Sequence, residues 1–229
     1  MTKPVETLHE TETWVFDLDN TLYPASCGLM AAVSTRMTGF VAELLKLAHD
    51  DALVEQKRMF REHGTTLRGL MNDHGVDPHD FMDYVHAVDY SMVGANPRLK
   101  ATLARLPGRK VVYTNASADH AAKVLAELGV ADLFDGIFDV IAAGYVPKPN
   151  PQPYAILAER HGIDPHKAVM LEDMSANLAP AAAMGMTTVW VRHDTDNAPD
   201  WAAPEADCDY VHHETDDVLA WLESVAQHA

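Results

Sequence analysis

Short apolar runs alternate with amphipathic stretches along this chain. A short apolar run bounded by polar residues is typical of a strand that is buried on both faces. The pattern predicts strands at Thr13 to Leu18, Lys110 to Tyr113, Phe138 to Ala142, Ala168 to Leu171 and Thr187 to Val191. Strands that alternate with helices pair in parallel, with helices on both faces, so we expect an α/β fold with a doubly wound parallel sheet.

The stretches between these strands carry helical signals at their ends. Glycines suited to a C-cap, Gly129, Gly162 and Gly185, follow the predicted helices Ala118 to Leu128, Pro151 to His161 and Asn177 to Met184. Asn96 and Pro97 are typical of a helix start, and they predict a further helix that ends near Leu106.

The gap between the first two predicted strands is far longer than a crossover helix requires. Its apolar positions recur at helical spacing, with one face containing Val33, Met37, Phe40, Val41, Leu44, Leu45 and Leu47 and another containing Phe81, Tyr84, Val85 and Val88. We therefore predict an inserted all-helical cap domain at residues 24–93, with the core formed by residues 1–23 and 94–229.

Charge limits the partners of the chain. The formal net charge is −17, whereas nucleic-acid binding depends on Lys and Arg that neutralise phosphates. We therefore expect no nucleic-acid partner, and a small anionic substrate would have to be attracted locally by a metal, a lysine or backbone amides. Both a monomer and a homodimer remain open.

The cellular compartment is predicted from apolar runs and cysteine content. No apolar run approaches the roughly 20 residues that span a bilayer, and the stretch from Met1 to Thr13 lacks the apolar core of a secretory signal. With only Cys27 and Cys208, a disulfide framework is not expected. The sequence predicts a cytoplasmic protein without a membrane partner.

Asp17 and Asp19 follow the first predicted strand, in the stretch Asp17-Leu18-Asp19-Asn20-Thr21. Ligands of open α/β sheets bind at the carboxyl ends of the strands. Two carboxyl groups there can divide the work between a nucleophile, Asp17, and an acid and base, Asp19. A solvated turn is the alternative, because Asp and Asn also favour turns.

Polar residues also follow the second and third predicted strands. Thr114 and Asn115 precede a helix start, which is suited to an anion but is equally explained as helix capping at Ser117. Lys148 lies between Pro147 and Pro149, where a rigid backbone would hold its ammonium against a phosphate. An ordinary surface lysine is the alternative.

The acidic pair Glu172-Asp173 follows the fourth predicted strand. Carboxylate oxygens are the ligands that Mg²⁺ prefers. Adjacent side chains diverge along a strand, so we expect Asp173 to bind the ion directly and Glu172 to support it or a water. An acidic helix start is the alternative for Glu172.

This order of motifs resembles the haloacid dehalogenase superfamily. The resemblance extends from about Trp14 to Val191 and implies a Rossmann-like core with a helical type 1 cap that selects the substrate. It implies Asp17 as the nucleophile that forms an aspartyl-phosphate and Asp19 as the general acid and base. Thr114 and Asn115 would bind the phosphoryl group, and Lys148 would stabilise it. The implied Mg²⁺ site consists of Asp17, the backbone carbonyl of Asp19, Asp173 and Glu172.

The resemblance also narrows the chemistry. The dehalogenase branch lacks an acid at the position of Asp19, and the phosphonate-cleaving branch lacks it too and places a lysine in the cap. A phosphomutase carries this acid and remains open. The presence of Glu172 where many relatives have a second aspartate leaves the second metal contact undecided.

Three stretches resemble the pyrimidine 5′-nucleotidase group: residues 16–24, 66–70 and 114–121. The resemblance implies a small phosphorylated metabolite as partner, a pyrimidine nucleoside 5′-monophosphate, and makes the cap residues His63, Thr65, Thr66 and Arg68 candidates for substrate contact. A surface role explains Arg68 equally well. The alternatives are a sugar-phosphate or phosphoglycolate phosphatase, a phosphomutase, and a non-catalytic protein that binds partners through its cap.

Overall fold

The computed structural model describes residues 5–192 and 208–227. Its centre is a six-stranded, wholly parallel sheet in the order β3-β2-β1-β4-β5-β6. The strands are β1 (Thr13–Phe16), β2 (Arg109–Tyr113), β3 (Gly136–Phe138), β4 (Ala168–Glu172), β5 (Thr187–Val191) and β6 (His213–Thr215). The prediction of a doubly wound parallel sheet is confirmed.

The strand order reverses direction between β1 and β4. Phe16, the last residue of β1, is in register with Val112 of β2 and with Leu171 of β4. Open α/β sheets bind ligands in the crevice at such a reversal, outside the carboxyl ends of the strands. Asp17 follows β1 directly and Asp173 follows β4, so the fold places both acids at this crevice.

Four α-helices lie between β1 and residue 93, which agrees with the predicted helical cap. They are α1 (Leu29–Leu45), α2 (His49–His63), α3 (Thr66–His74) and α4 (Pro78–Val85). They enclose their own buried cluster, which includes Val33, Val41, Met59, Leu70 and Phe81. The boundary of the cap at residues 24–93 stays a prediction.

The core helices flank the sheet, and all but the last, which the sequence did not predict, lie close to their predicted positions. They are α5 (Pro97–Arg105), α6 (Ala118–Leu128), α7 (Pro151–His161), α8 (Leu178–Met184) and α9 (Val218–Ala226). Gly129, Gly162 and Gly185 adopt the left-handed conformation at the ends of α6, α7 and α8, as predicted. Within residues 5–192 and 208–227, no helix combines the length and the apolar character that a bilayer span requires.

The predicted third strand, Phe138 to Ala142, is wrong beyond Phe138. Asp139 ends β3, because its carboxylate accepts hydrogen bonds from the backbone amides of Ala118 and Ala142 and so begins a turn. Val140 is buried within the cluster of the inserted helices, so its apolar character serves the turn rather than a strand.

Two smaller differences concern the first and last strands. The predicted strand Thr13 to Leu18 ends at Phe16, and the sequence did not predict β6. β6 lies at the sheet edge, and its residues His213, Glu214 and Thr215 lack an apolar run. A strand of polar residues at an edge gives no periodic signal to find.

Candidate active site

Asp17 is held in place through both its backbone and its carboxylate. Its backbone amide donates to the carbonyl of Leu171, which continues the pairing of β1 with β4. Its Oδ2 accepts a 2.9 Å hydrogen bond from Thr21 Oγ1, and its Oδ1 lies 2.6 Å from Lys148 Nζ. With the residue only 6% exposed, the carboxylate has a fixed direction in a site that is mostly closed to water.

Lys148 connects the two strand ends. Besides Asp17, its ammonium contacts Glu172 Oε2 at 2.6 Å and the backbone carbonyl of Tyr113 at 3.1 Å. Its own backbone amide donates to Asn115 Oδ1, which anchors the loop after β3 to the end of β2. Burial alone would lower the pKa of Lys148, but the charges of Asp17 and Glu172 raise it above the ordinary lysine value. The side chain is a permanent cation.

The acidic residues at the carboxyl ends of β1 and β4 form one cluster. Asp17, Glu172 and Asp173 each offer an oxygen, and these oxygens all lie within 4.8 Å of one another. Glu172 is 1% exposed and forms the ion pair with Lys148. The carboxylate of Glu172 also accepts a hydrogen bond from the amide of Met174. The division between Asp173 as a direct ligand and Glu172 as a supporting acid stays a prediction.

The electrostatics of this cluster fit a divalent cation. Burial, the negative charge of Glu172 and that of Asp19 raise the pKa of Asp17 to about 7, although Lys148 opposes the shift. Burial and the charges of Glu172 and Asp17 raise the pKa of Asp173 as well. Two buried carboxyl groups and one half-buried carboxyl group lie together beside one ammonium, so a cation among their oxygens would relieve the repulsion and restore the ionised forms.

Asp19 has a different environment from Asp17. Its Oδ1 accepts a hydrogen bond of 2.5 Å from Tyr23 Oη and lies 2.9 Å from Nε2 of His120. Burial by itself would raise the pKa of Asp19, but the charge and hydrogen bond of His120 and the hydroxyl of Tyr23 lower it below the ordinary value. The sequence analysis did not identify Tyr23 and His120 as site residues, although both lie in stretches that resemble the nucleotidase group.

Thr114 and Asn115 lie at the end of β2, where they were predicted. Thr114 is 1% exposed, and its Oγ1 accepts a hydrogen bond from the amide of Ala116. Within the part of the chain that the structure describes, no residue accepts the proton of this hydroxyl. Thr114 thus retains a donor at the crevice, whereas Asn115 uses its Oδ1 to position Lys148.

The structure places the candidate cap residues in two settings. His63 and Arg68 line a cavity of about 450 Å³ that Asn72, Lys148, Asn150 and Gln152 also border. Thr65 instead caps α3, since its Oγ1 accepts from the amide of Arg68, and Thr66 is buried. The cavity shares Lys148 with the acidic cluster, so it adjoins the strand ends.

A relative of known name matches most of the chain. It is phosphate metabolism protein 8 of Saccharomyces cerevisiae, which is 26% identical over 193 residues. The match covers 76% of this chain and 60% of the relative, so the chain spans less than two thirds of that protein's length.

Solved structures support the fold. The HAD phosphatase from Thermococcus onnurineus has a TM-score of 0.60 at 17% identity and covers 90% of this chain and 94% of its own. The L-2-haloacid dehalogenase from Xanthobacter autotrophicus also has a TM-score of 0.60 at 18% identity, with coverage of 95% and 97%. Residues 11–185 match the haloacid dehalogenase-like hydrolase family, and the chain belongs to that family.

Proposed function

We propose that the protein is a Mg²⁺-dependent phosphomonoester hydrolase that acts through an aspartyl-phosphate on Asp17. The observation that carries the proposal is the pair of acids at the end of β1. Asp17 is fixed between Lys148 and Thr21, while Asp19 is oriented separately by Tyr23 and His120. These separate contacts support one acid as the attacking group and the other as the group that transfers a proton.

In the first step an oxygen of Asp17 forms a bond to phosphorus while the bond to the leaving oxygen breaks. Asp19 reacts here in its protonated form, which the second step restores after each turnover, and gives its proton to that oxygen, so the leaving group departs as an alcohol. Lys148 Nζ, 2.6 Å from Asp17 Oδ1, neutralises charge on the approaching phosphate, and the hydroxyl of Thr114 donates to it.

In the second step water attacks the aspartyl-phosphate. Asp19, now a carboxylate, accepts the water proton, and the bond between phosphorus and Asp17 breaks to release inorganic phosphate. The ion held by Asp17, Asp173, Glu172 and the Asp19 carbonyl would supply charge neutralisation at the phosphoryl oxygens. The fold alone does not distinguish phosphate hydrolysis from dehalogenation. The acid at position 19 favours phosphate hydrolysis.

For the substrate we propose a nucleoside 5′-monophosphate, with pyrimidine bases preferred. The cavity beside Lys148 has about 450 Å³, which is in the usual range of small-molecule sites. His63, Arg68, Asn72 and Gln152 border it with polar groups that could contact a sugar and a base. This supports a leaving group larger than glycolate.

Hydrolysis of a phosphomonoester panel tests both levels of the proposal. The panel contains uridine and cytidine monophosphates, purine monophosphates, sugar phosphates and glycolate phosphate, each with Mg²⁺ or with a chelator. We expect Mg²⁺-dependent release of phosphate that is fastest for the pyrimidine nucleotides. Preference for a sugar phosphate would replace the nucleotidase assignment, and an isomeric phosphosugar product would indicate a mutase. No turnover of any ester by folded protein would favour the non-catalytic binding protein.

A further inference from the structure

A buried histidine lies behind the proposed acid and base. His120, in the first turn of α6, is 1% exposed, and its Nε2 lies 2.9 Å from Asp19 Oδ1. Tyr23 donates its hydroxyl to the same oxygen at 2.5 Å. An ionised carboxylate can only accept hydrogen bonds, so Nε2 of His120 is the donor when Asp19 is a carboxylate.

The two oxygens of Asp19 are therefore not equivalent. Oδ1 is occupied by two donors, and within the described part of the chain no hydrogen bond reaches Oδ2. A proton on Oδ1 would compete with both donors, whereas a proton on Oδ2 displaces nothing. The carboxyl side chain remains 17% exposed, enough for a substrate oxygen to meet it.

We propose that His120, together with Tyr23, is a positioning residue that makes Oδ2 the proton-transferring oxygen of Asp19. The inference rests on the proposed function and deepens it. In the first step the proton passes from Oδ2 to the departing alkoxide oxygen as its bond to phosphorus breaks. In the second step Oδ2 takes the proton of the attacking water as the bond to Asp17 breaks.

The orientation of His120 is itself fixed by the segment that returns from the inserted helices. The hydroxyl of Tyr90 donates to the backbone carbonyl of His86 at 3.1 Å, and the oxygen of the same hydroxyl lies 3.1 Å from Nδ1 of His120. The His86 ring stacks on His120 with centroids 4.4 Å apart. Tyr23 lies before the inserted helices and Tyr90 after them, so both connections to these helices contribute to the placement of Asp19.

The test compares two leaving groups. p-Nitrophenolate departs without a proton, whereas the 5′-alcohol of a nucleotide needs one. We expect His120→Leu to lower kcat/KM for uridine monophosphate by about 10- to 100-fold, which is part of the rate that general acid catalysis contributes. For p-nitrophenyl phosphate we expect kcat/KM to fall by less than about threefold, because its leaving group needs no proton. kcat/KM is chosen because it reports the steps up to leaving-group departure and is independent of phosphoenzyme hydrolysis.

Conservative variants separate positioning from packing. His120→Gln keeps an N–H donor near the position of Nε2 and should recover most of the lost discrimination, and Tyr23→Phe should show the same selective loss in weaker form. His161→Leu is the matched control, because His161 packs against Phe138 away from Asp19. Its ratio of the two kcat/KM values should equal that of the wild type.

The outcomes are distinguishable. If His120→Leu does not fold, Tyr23→Phe and His120→Gln decide the question. Equal loss on both esters in the folded variants would overturn the positioning role and leave the phosphatase proposal intact. Failure of the wild type to hydrolyse either ester with Mg²⁺ would overturn the phosphatase proposal itself.

Discussion

The strand ends and the inserted helices differ in how tightly their polar side chains are held. At the strand ends, Asp17, Lys148 and Glu172 are almost wholly buried, and the lysine ammonium contacts each acid at 2.6 Å. In the inserted helices, Arg68 is half-buried and its Nη1 reaches the carbonyl of Tyr145 only at 3.5 Å. His63 contacts Asp73 and Asn72 of its own helical unit.

This difference indicates a division of function. Buried charges that are paired cost too much to remain without a chemical role or a tight structural one, and any change to them has a large effect. Loosely held polar groups around a cavity can be exchanged at small cost, which suits the selection of substrates. The variants below test whether sensitivity really falls from the strand ends to the cap.

Asp17→Asn should have the largest effect. An amide is not a nucleophile, so we expect kcat to fall by roughly 10⁴-fold or more. Steady-state release of phosphate from the preferred ester measures it, with Asp132→Asn as the control because Asp132 is an exposed acid paired with Lys100. Turnover near the wild-type level in Asp17→Asn would remove the nucleophile from this position.

Lys148→Met should have the second largest effect. It removes the cation that faces both Asp17 and Glu172, so we expect a loss of about 10²- to 10³-fold in kcat from weaker transition-state stabilisation. The control is Lys167→Met, because Lys167 is exposed and pairs only with Glu12 among the described residues. An unchanged rate in Lys148→Met would contradict the proposed clamp.

The sequence was sufficient for the strand-end arrangement for a simple physical reason. Parallel strands bring their carboxyl ends to one edge, so polar residues after β1, β2 and β4 had to meet once the strand pattern was recognised. Asp17 lies between Thr114 and Asp173 along this edge for this reason, since β1 lies between β2 and β4. Lys148 follows a loop rather than a strand, and its position depends on Asn115, which holds its backbone amide.

The contacts of Asp19 could not be predicted in the same way. His120 is in a helix and Tyr90 in the segment returning from the inserted helices, and only tertiary packing brings them to Asp19. Val140 shows the opposite error, since a buried apolar residue in a turn imitates the pattern of a strand. Local patterns identify strand ends but not the partners that other elements supply.

The two acids that follow β1, Asp17 and Asp19, should make opposite contributions to the pH dependence of stability. The pKa of Asp17 in the metal-free folded protein is raised to about 7 from the ordinary aspartate value of 3.8. As the pH rises, the unfolded chain therefore loses this proton before the folded protein does. Metal-free wild type should therefore lose stability relative to Asp17→Asn between about pH 4 and pH 7 and level off above it. Thermal unfolding in a chelator measures this difference, and added Mg²⁺ should reverse it.

Asp19 provides the internal control for that experiment. Its pKa is lowered by His120 and Tyr23 against the effect of burial, so the folded protein loses this proton before the unfolded chain does. The wild type should therefore gain stability relative to Asp19→Asn as the pH rises toward the ordinary aspartate value. Parallel trends for the two variants would mean that the acids share one environment, contrary to the structure.

Arg68→Ala should have the smallest effect. Arg68 borders the cavity but lies outside the acidic cluster, so we expect KM for the preferred nucleotide to rise by about 3- to 10-fold while kcat stays within about twofold, as for a lost binding contact. Arg61→Ala is the matched control, since Arg61 is exposed on α2 outside the cavity lining. A residue that only holds the leaving group stabilises the ground state and the transition state equally, so its loss leaves kcat unchanged. A fall in kcat as large as that of Lys148→Met would therefore show that the cap takes part in the chemistry.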